Sequence, residues 1–422
     1  MQETATPTET AILAGIDDKE CIGLYGDISE QLDELAELAA TAGATVKGRL
    51  TQRRENVHPG HYLGKGKIEE LKDLAISEWA SMVICNDELS PAQLRNLSDM
   101  LNMKVLDRTA LILDIFAMRA RSAEGKVQVE MAQLKYRLSH LTGAGRAMSR
   151  LGGGIGTRGP GETKLETDRR QIREKLTRLR RELAEIRDRR RLLRHNRERS
   201  GIPVISLVGY TNAGKSTLMR LLSGADVFVE DKLFATLDAT TRKIELGTAE
   251  VLLTDTVGFI QKLPADLVEA FKSTLEELKY ADILLHVVDV SNPAHQNHMG
   301  VVYQTLASLE IGGKPVITVY NKTDKLDRDN QAVLLADPRA EVCVRTAAVN
   351  RTGRDELLNA MDTVLQSLRR SITVLLPFSQ GWLMDYAHKN CNVISREHTQ
   401  DGVLLELYAE GEALGRLREL MT

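Results

Sequence analysis

The octapeptide "GYTNAGKS", Gly209 to Ser216, has residue types and spacing suited to binding a nucleoside triphosphate. It follows an apolar run typical of a strand and precedes a helical run, "TLMRLLSG". In such a loop the glycines let the backbone wrap around the phosphates, Lys215 reaches the β- and γ-phosphate oxygens, and Ser216 binds Mg²⁺. The pattern therefore predicts a phosphate-binding loop (P-loop). The weaker alternative is a glycine turn in an ordinary strand-to-helix unit.

A second motif indicates which base the nucleotide carries. The tetrapeptide "NKTD", Asn321 to Asp324, ends a predicted strand further along the chain. Its aspartate carboxylate can accept both hydrogen bonds that the N1 and 2-amino groups of guanine donate. Adenine lacks that pair of donors, so a buried carboxylate would be left unsatisfied. The motif favours guanine, although an N-K-x-D tetrapeptide alone is also typical of a surface turn.

The stretch "LTDTVGFI", residues 253 to 260, contains the D-x-x-G pattern of a nucleotide switch loop. Asp255 is predicted to hold Mg²⁺ through water, and the backbone amide of Gly258 to sense the γ-phosphate. In many small GTPases a glutamine follows that glycine and orients the attacking water, but here the residue is Phe259. We therefore expect a low intrinsic rate that a partner or another part of the chain raises. The alternative is that Phe259 is a core side chain beside a site with its own water-positioning group.

Two further loops complete the predicted site. The segment "LFATLDATTR" offers Thr236, Thr240 and Thr241 as switch threonines, of which one is needed to meet the metal, and we favour Thr236. The segment "RTAAVNRTG" follows a predicted strand, where a last base-contacting loop is expected. Its candidates, which would act chiefly through backbone atoms, are Thr346, Ala347 and Ala348.

Alternating strands and helices must position these loops. Residues 11 to 123 alternate short apolar runs with helical stretches, which favours a small parallel α/β domain. Residues 201 to 370 repeat the alternation and predict a doubly wound sheet, the G domain. Residues 371 to 422 follow a β-α-β-β-α pattern, typical of a small α+β domain. The predicted fold class is therefore multidomain α/β, with a helical segment from 124 to 200 between the two parallel sheets.

This helical segment is predicted to form a hairpin. Apolar residues recur at alternating steps of four and three from Val127 to Leu141 and again from Ile172 to Ile186, which indicates two paired amphipathic helices. Between them lies a glycine-rich tip, residues 143 to 161, with three arginines and no acid. Because the tip has few side chains to bury, we expect it to be exposed and mobile.

The hairpin is also strongly basic. Residues 167 to 200 contain 14 basic and 6 acidic residues, a balance of +8, although the whole chain has a net charge of −3. Arginines can neutralise RNA phosphates, and glycines allow close approach of the backbone. The candidates for RNA contact are Arg146, Arg150 and Arg158 at the tip and Arg169, Arg170 and Arg173 on the second helix. The alternative is a solvated basic coiled coil with a hinge.

The sequence argues against a membrane-spanning or a secreted protein. No apolar run reaches the roughly 18 to 20 residues that a membrane span needs, and the polar start "MQETATPTET" lacks the features of a signal peptide. We expect a soluble, cytoplasmic monomer without integral membrane association and without a DNA partner, while peripheral membrane contact stays open.

Three longer stretches resemble the HflX family of ribosome-associated GTPases, in the Obg-HflX group. They are "DRTALILDIFAMRARSAEGKVQVEMAQLKYRL" (107 to 138), "GGGIGTRGPGETKLETDRRQI" (152 to 172), and "LVGYTNAGKSTL" together with "LFATLD". The resemblance implies GTP and GDP as ligands, Mg²⁺ as metal and hydrolysis of GTP to GDP and phosphate. It also implies binding to the large ribosomal subunit and its rRNA, stimulation by that subunit, and a role in ribosome splitting, rescue or biogenesis.

The resemblance assigns site residues in this numbering. The catalytic candidates are Lys215, Asp255 and Gly258, and the resemblance implies that Ser216 and Thr236 bind Mg²⁺. The nucleotide contacts fall on Gly209, Tyr210, Thr211, Asn212, Ala213, Gly214, Lys215 and Ser216; on Phe234, Ala235, Thr236, Leu237 and Asp238; on Asp255, Thr256, Val257 and Gly258; on Asn321, Lys322, Thr323 and Asp324; and on Thr346, Ala347 and Ala348.

Other functions compete with this one. An RNA-modification GTPase would be supported by a catalytic cysteine near the C-terminus, but the sequence ends "LRELMT". A GTP-dependent RNA-binding switch with negligible turnover would share the same motifs. A metabolic kinase would have the P-loop but no use for "NKTD".

Overall fold

The computed structural model describes residues 9–17, 26–54, 57–141, 160–198, 202–224, 233–234, 240–262, 264, 267, 275–326, 336–368, 371–378, 382–399 and 401–408. The helices are α1 Ile28–Thr41, α2 Lys65–Ser77, α3 Pro91–Leu101, α4 Arg108–Arg119, α5 Ala123–Leu141, α6 Pro160–Glu198, α7 Lys215–Ser223, α8 His295–Ser308, α9 Arg354–Leu368 and α10 Trp382–Asn390. The strands are β1 Thr10–Asp17, β2 Thr45–Arg53, β3 Met82–Cys85, β4 Lys104–Asp107, β5 Val204–Gly209, β6 Thr240–Glu245, β7 Glu250–Asp255, β8 Ile283–Asp289, β9 Val316–Asn321, β10 Val342–Arg345, β11 Ser371–Pro377, β12 Asn392–His398 and β13 Gly402–Tyr408. None of the helices in these ranges combines the length and apolar character that a bilayer crossing requires.

The first sheet is four-stranded and parallel, in the order β2-β1-β3-β4. Alternate residues of β1 point to opposite faces, so Leu13 packs with α1 and α4 and Ile12 packs with α2 and α3. Both faces are therefore covered by helices, as a parallel sheet requires. Ser90 caps α3 in a capping box with Gln93 and precedes a proline at the first helical position.

Helices α5 and α6 pack against each other through the apolar residues that the periodicity singled out. Their shared core consists of Val127, Met131, Leu134, Leu176, Leu179 and Leu183. Lys175 of α6 forms an ion pair with Glu130 of α5 across this contact. The glycine-rich tip predicted between the two helices lies outside the described residues, apart from the backbone at the start of α6.

The second sheet has six strands in the order β10-β9-β8-β5-β7-β6, and β6 is antiparallel to β7. The other neighbouring strands pair in parallel. Strands β5, β7 and β9 end at the same edge, because parallel strands share a direction. That edge is where the P-loop, the D-x-x-G segment and the "NKTD" motif begin, and it is where open α/β sheets bind ligands.

Two elements were not predicted from the sequence. Helix α4 has so many buried apolar residues that a helical stripe is hard to distinguish, although Asp107 caps it by accepting a hydrogen bond from the Ala110 amide at 2.8 Å. Strand β6 is a polar edge strand. It places Thr240 and Thr241 opposite Asp255 and Thr254, so these two candidate switch threonines are strand residues in the described structure.

The C-terminal region forms a three-stranded antiparallel sheet in the order β11-β13-β12. Helix α10 packs on one face of it through Leu383 and Ala387, which contact Leu376, Leu405 and other strand residues. The final helix expected from the sequence lies in residues 409–422, outside the described ranges.

Candidate functional site

The P-loop passes close to the neighbouring backbone and side chains, and its glycines make this possible. Gly214 has φ of 95°, and a Cβ built there would lie 2.2 Å from Nδ2 of Asn321. A Cβ on Gly209 would lie 2.3 Å from the carbonyl oxygen of Val287. Larger residues at either position would push the loop away from the sheet.

Lys215 lies inside this loop and is only 6% exposed. Its Nζ donates hydrogen bonds to the carbonyl oxygens of Gly209 at 3.0 Å and Tyr210 at 2.8 Å. Burial lowers the pKa of Lys215 to about 8, and the carboxylate of Asp255 partly opposes that shift. A polyanionic ligand in the loop would stabilise the charged ammonium that burial disfavours.

Ser216 and Asp255 bring two oxygen donors together at the start of α7. The serine hydroxyl donates a 2.8 Å hydrogen bond to Oδ2 of Asp255, whose side chain is buried at the end of β7. Hydroxyl and carboxylate oxygens are the hard donors that Mg²⁺ prefers, so the donor set fits the expected metal. Thr236, the other expected magnesium ligand, lies outside the described residues.

Asn321 connects three of the predicted loops. Its Nδ2 donates to the carbonyl oxygen of Ala213 in the P-loop at 2.9 Å. Its Oδ1 accepts from the Thr346 hydroxyl and from the Ala348 amide, both at 3.2 Å. The asparagine therefore positions these loops, and one of its two amide hydrogens is engaged by Ala213. Asp324, three residues on, is exposed and is free of that packing.

The remaining residues of the "NKTD" motif are fixed by local contacts. Lys322 has φ of 63° and forms an ion pair with Asp289 at 2.7 Å. The Thr323 hydroxyl donates to the carbonyl oxygen of Thr346 at 3.0 Å. These contacts hold the turn that carries Asp324 against the last loop of the site.

The D-x-x-G segment lies directly on the P-loop. The Thr211 amide donates to the carbonyl oxygen of Phe259 at 2.8 Å, and the Phe259 amide donates to that of Gly209 at 3.1 Å. A Cβ on Gly258 would lie 2.9 Å from Cα of Thr211 and 3.0 Å from Nζ of Lys215. Gly258 therefore brings its backbone next to the lysine that is expected to bind phosphate.

Phe259 is a core residue, 2% exposed. It belongs to the same apolar cluster as Phe234 and Phe116, whose rings meet edge to face with centroids 4.6 Å apart. Phe116 belongs to α4, which packs on the first sheet. This cluster therefore connects the helices of the first sheet to the edge of the second sheet where the P-loop begins. Phe259 is therefore packed in the core, a position that is compatible with both interpretations of how hydrolysis is completed.

Three family models match consecutive parts of the chain. A model described as "GTP-binding GTPase N-terminal" matches residues 29–117, "GTP-binding GTPase Middle Region" matches 119–197 and "50S ribosome-binding GTPase" matches 204–322. A curated relative named "GTPase HflX", from Caldanaerobacter subterraneus subsp. tengcongensis, is 49% identical over 100% of this chain and 96% of its own length. The chain belongs to the HflX family of GTPases.

The comparisons also found a second curated relative and a solved structure. The "GTPase HflX" of Escherichia coli (strain K12) is 40% identical over 84% of this chain and 83% of its own length. A solved GTP-binding protein from Sulfolobus solfataricus in complex with GDP is 26% identical, covers 85% of this chain and 99% of its own, and has a TM-score of 0.43. As an HflX-family GTPase, the protein binds guanine nucleotide and hydrolyses GTP, and its G domain matches a ribosome-binding family.

Not all of the predicted HflX site residues are brought together here. The P-loop, Asp255 to Gly258, Asn321 to Asp324 and Thr346 to Ala348 converge at one sheet edge, and the Phe234 side chain is buried beside them. The residues outside the described ranges are Ala235, Thr236, Leu237, Asp238, Arg146, Arg150 and Arg158. On α6, Arg173 is exposed, Arg170 is 71% exposed and Arg169 is 22% exposed.

The sequence did not predict the side chains that connect helices α1 and α4, which cover the first sheet, to the P-loop. The Tyr210 hydroxyl donates to Glu34 of α1, and Arg108 of α4 forms an ion pair with the same carboxylate. Burial, reinforced by the Glu34 carboxylate, raises the pKa of Tyr210 and keeps the phenol protonated. No spacing rule links these positions, which lie far apart in the chain. The tyrosine belongs to the P-loop motif and Arg108 to a stretch that resembles the family, but neither pattern indicates this contact.

A cavity of about 290 Å³ adjoins this contact. Its walls include Glu30 and Asp33 of α1 and Thr211 and Asn212 of the P-loop. It lies between the two sheet layers, on the α1 side of the P-loop.

Proposed function

We propose that this HflX-family GTPase acts on ribosomes, hydrolysing GTP with Mg²⁺ under stimulation by the large subunit, in ribosome splitting, rescue or biogenesis. The single observation that supports the nucleotide site best is the position of Asn321. It is bonded to the P-loop and to the last loop at once, which leaves Asp324 exposed to accept hydrogen bonds from guanine.

The proposed mechanism assigns each group one task. Lys215 neutralises the β- and γ-phosphates and the Gly258 amide binds a γ-phosphate oxygen, so charge that develops in the transition state meets preorganised donors. Ser216, with Thr236, would hold Mg²⁺, and Asp255 would fix it through water. Bound there, the ion would neutralise charge on the phosphate oxygens.

The buried Phe259 supports the need for outside stimulation. An aromatic core side chain has no atom that can orient water, so the position after Gly258 supplies no catalytic polar group. A group supplied by a partner can raise the rate greatly, by roughly 10³ to 10⁵ for an arginine finger. We infer that contacts with the large subunit complete the site.

The basic face of α6 is the proposed ribosomal contact. Arg170 and Arg173 are exposed on it, and each can pair with an RNA phosphate. Arg169 and the tip residues Arg146, Arg150 and Arg158 are the other proposed RNA contacts. Replacing the three tip arginines by alanine is expected to weaken ribosome binding while GTP affinity is retained.

The decisive experiment compares GTP turnover with and without purified large subunits at low and moderate salt. We expect large subunits to stimulate GTP turnover by at least about tenfold. This stimulation should be lost in parallel with ribosome binding as the salt concentration rises. The variant Arg170→Ala/Arg173→Ala should lose stimulation, whereas Arg396→Ala, at an exposed arginine of β12, should keep it. Equal rates with and without subunits would contradict the proposal.

A further inference from the structure

Tyr210 links the P-loop to the segment that follows Gly258. Its hydroxyl accepts a hydrogen bond from the backbone amide of Gln261 at 2.9 Å. With the two backbone hydrogen bonds of Phe259 to the P-loop, this gives three attachments within residues 259 to 261. The segment that begins with the expected γ-phosphate sensor is therefore held in one register on the P-loop.

The first sheet layer holds the other side of the same residue. Arg108, which is 2% exposed, donates to the carbonyl oxygen of Gln261 at 3.2 Å and to Oδ1 of Asn86 at 3.1 Å. The Glu34 carboxylate of α1 pairs with Arg108 and also accepts from the Tyr210 hydroxyl. Both backbone polar atoms of Gln261 are therefore held by side chains that share one carboxylate.

The next residue extends this contact. Lys262 has φ of 49° and its Nζ lies 2.5 Å from a carboxylate oxygen of Asp87, just beyond β3. Asp87 in turn accepts a 2.6 Å hydrogen bond from the hydroxyl of the buried Tyr62. Two consecutive residues after Ile260 are thus attached to the first sheet layer, and the segment cannot shift without changing these attachments.

We propose that Tyr210 is a positioning residue that couples the γ-phosphate-sensing segment to helix α1. The proposal rests on the family's GTP binding alone and does not depend on the ribosome. A γ-phosphate that moves Gly258 also moves Gln261, and the Tyr210 hydroxyl transmits that displacement to Glu34. Because such coupling is reciprocal, a partner that displaces α1 changes the affinity of the site for the γ-phosphate.

The phenol suits this role because its ring is fixed independently of its hydroxyl. The ring stacks on the His298 imidazole of α8, with centroids 3.8 Å apart and planes 4° from parallel. Tyr210→Phe therefore keeps the ring in place and removes only the two hydrogen bonds. Tyr303→Phe is a matched control, because Tyr303 also packs on a histidine, His286, and donates to a carboxylate, Asp337, that lies outside residues 258 to 262.

Hydrogen–deuterium exchange of the full chain tests the coupling, with peptides from α1 compared between protein saturated with GDP and with a non-hydrolysable GTP analogue. We expect α1 amides of the wild type to differ at least twofold in exchange rate between the two states. Tyr210→Phe should reduce that difference by at least half, and Tyr303→Phe should retain it. A smaller reduction in Tyr210→Phe, or no difference in the wild type, would overturn the proposal.

A second variant tests the same coupling independently, in case Tyr210→Phe does not fold. Glu34→Gln keeps an acceptor beside Tyr210 but removes the charge that attracts Arg108. Thermal unfolding establishes that each variant is folded before exchange is measured. Glu34→Gln should also lose at least half of the nucleotide-dependent difference in α1, and full retention of the difference would count against the coupling.

Discussion

The Ser216 hydroxyl donates a 2.8 Å hydrogen bond to the buried carboxylate of Asp255, so the proposed magnesium ligand and its anchor already touch. Ser216→Ala removes a hard oxygen donor from the site. We expect GTP turnover to fall by about 10²-fold, comparable to losing one group that stabilises transition-state charge. Turnover measured against Mg²⁺ concentration checks this.

The control for that substitution lies on the same helix. Ser223→Ala removes a serine hydroxyl that donates to the carbonyl oxygen of Met219 at 2.7 Å, at the far end of α7. It should leave turnover and its magnesium dependence unaltered. Equal turnover in Ser216→Ala and the wild type would remove this serine from the proposed metal site.

Asp324 is expected to determine the base. Asp324→Asn replaces an acceptor of two hydrogen bonds with a group that offers one acceptor and a pair of donors. Affinity for GTP should fall by at least about 10²-fold, while xanthosine triphosphate, which has a carbonyl in place of the 2-amino group, should gain affinity. Titration with fluorescent analogues of both nucleotides measures the ratio. Unchanged preference for GTP would mean that another residue recognises the base.

Phe259 should matter for stability because it is packed in the core. Phe259→Ala creates a cavity, and we expect the free energy of unfolding to fall by about 3 to 5 kcal/mol. Phe378→Ala, at a residue that is 61% exposed, should change it little. Urea denaturation followed by circular dichroism compares the two. A loss below about 1 kcal/mol at Phe259 would show that the side chain is not buried in solution.

His286 is expected to make the folded protein less stable in acid. Burial lowers its pKa to about 4, Asp337 opposes that shift, and Lys215 and Arg339 reinforce it. Between pH 6.5 and 4 the unfolded chain binds a proton at this histidine and the folded chain does not. The contribution of neutral His286 to the free energy of unfolding is therefore fully present above pH 6.5 and is lost as pH falls toward 4. The loss is on the order of 3 kcal/mol, because each unit of pKa difference corresponds to about 1.4 kcal/mol.

His286→Leu should flatten that part of the pH dependence, because the buried titrating group is gone. Denaturation midpoints measured from pH 7 to pH 4 provide the comparison. His398→Leu, at an exposed position of β12, should keep the slope of the wild type. An identical slope in all three proteins would assign the acid sensitivity to other groups.

Much of the fold followed from the sequence because its elements have strong local signals. The strand around Ile205 is a mainly apolar run that ends at the P-loop, and Ser90 with Pro91 marks a helix start by side-chain chemistry. Edge strand β6 gave no such signal, because an exposed polar strand is defined by its pairing with β7 and not by its own composition.

The site was predictable where one motif supplies both chemistry and backbone shape. The P-loop is such a motif, because its glycines and Lys215 act within eight consecutive residues. The role of Asn321 as a connector, the burial of Phe259 and the Glu34–Arg108 pair were not predictable in this way. Each depends on which distant segments the fold brings together, and that information is tertiary.

If α6 is the ribosomal contact, we expect the γ-phosphate to control how strongly this arginine-rich helix engages the ribosome, and sedimentation with ribosomes tests this. The protein is mixed with ribosomes in three forms: free of nucleotide, saturated with GDP, and saturated with a non-hydrolysable GTP analogue. We predict that the bound fraction in the pellet is several times larger with the GTP analogue than in the other two forms. Equal fractions in all three forms would show that the γ-phosphate does not control ribosome binding.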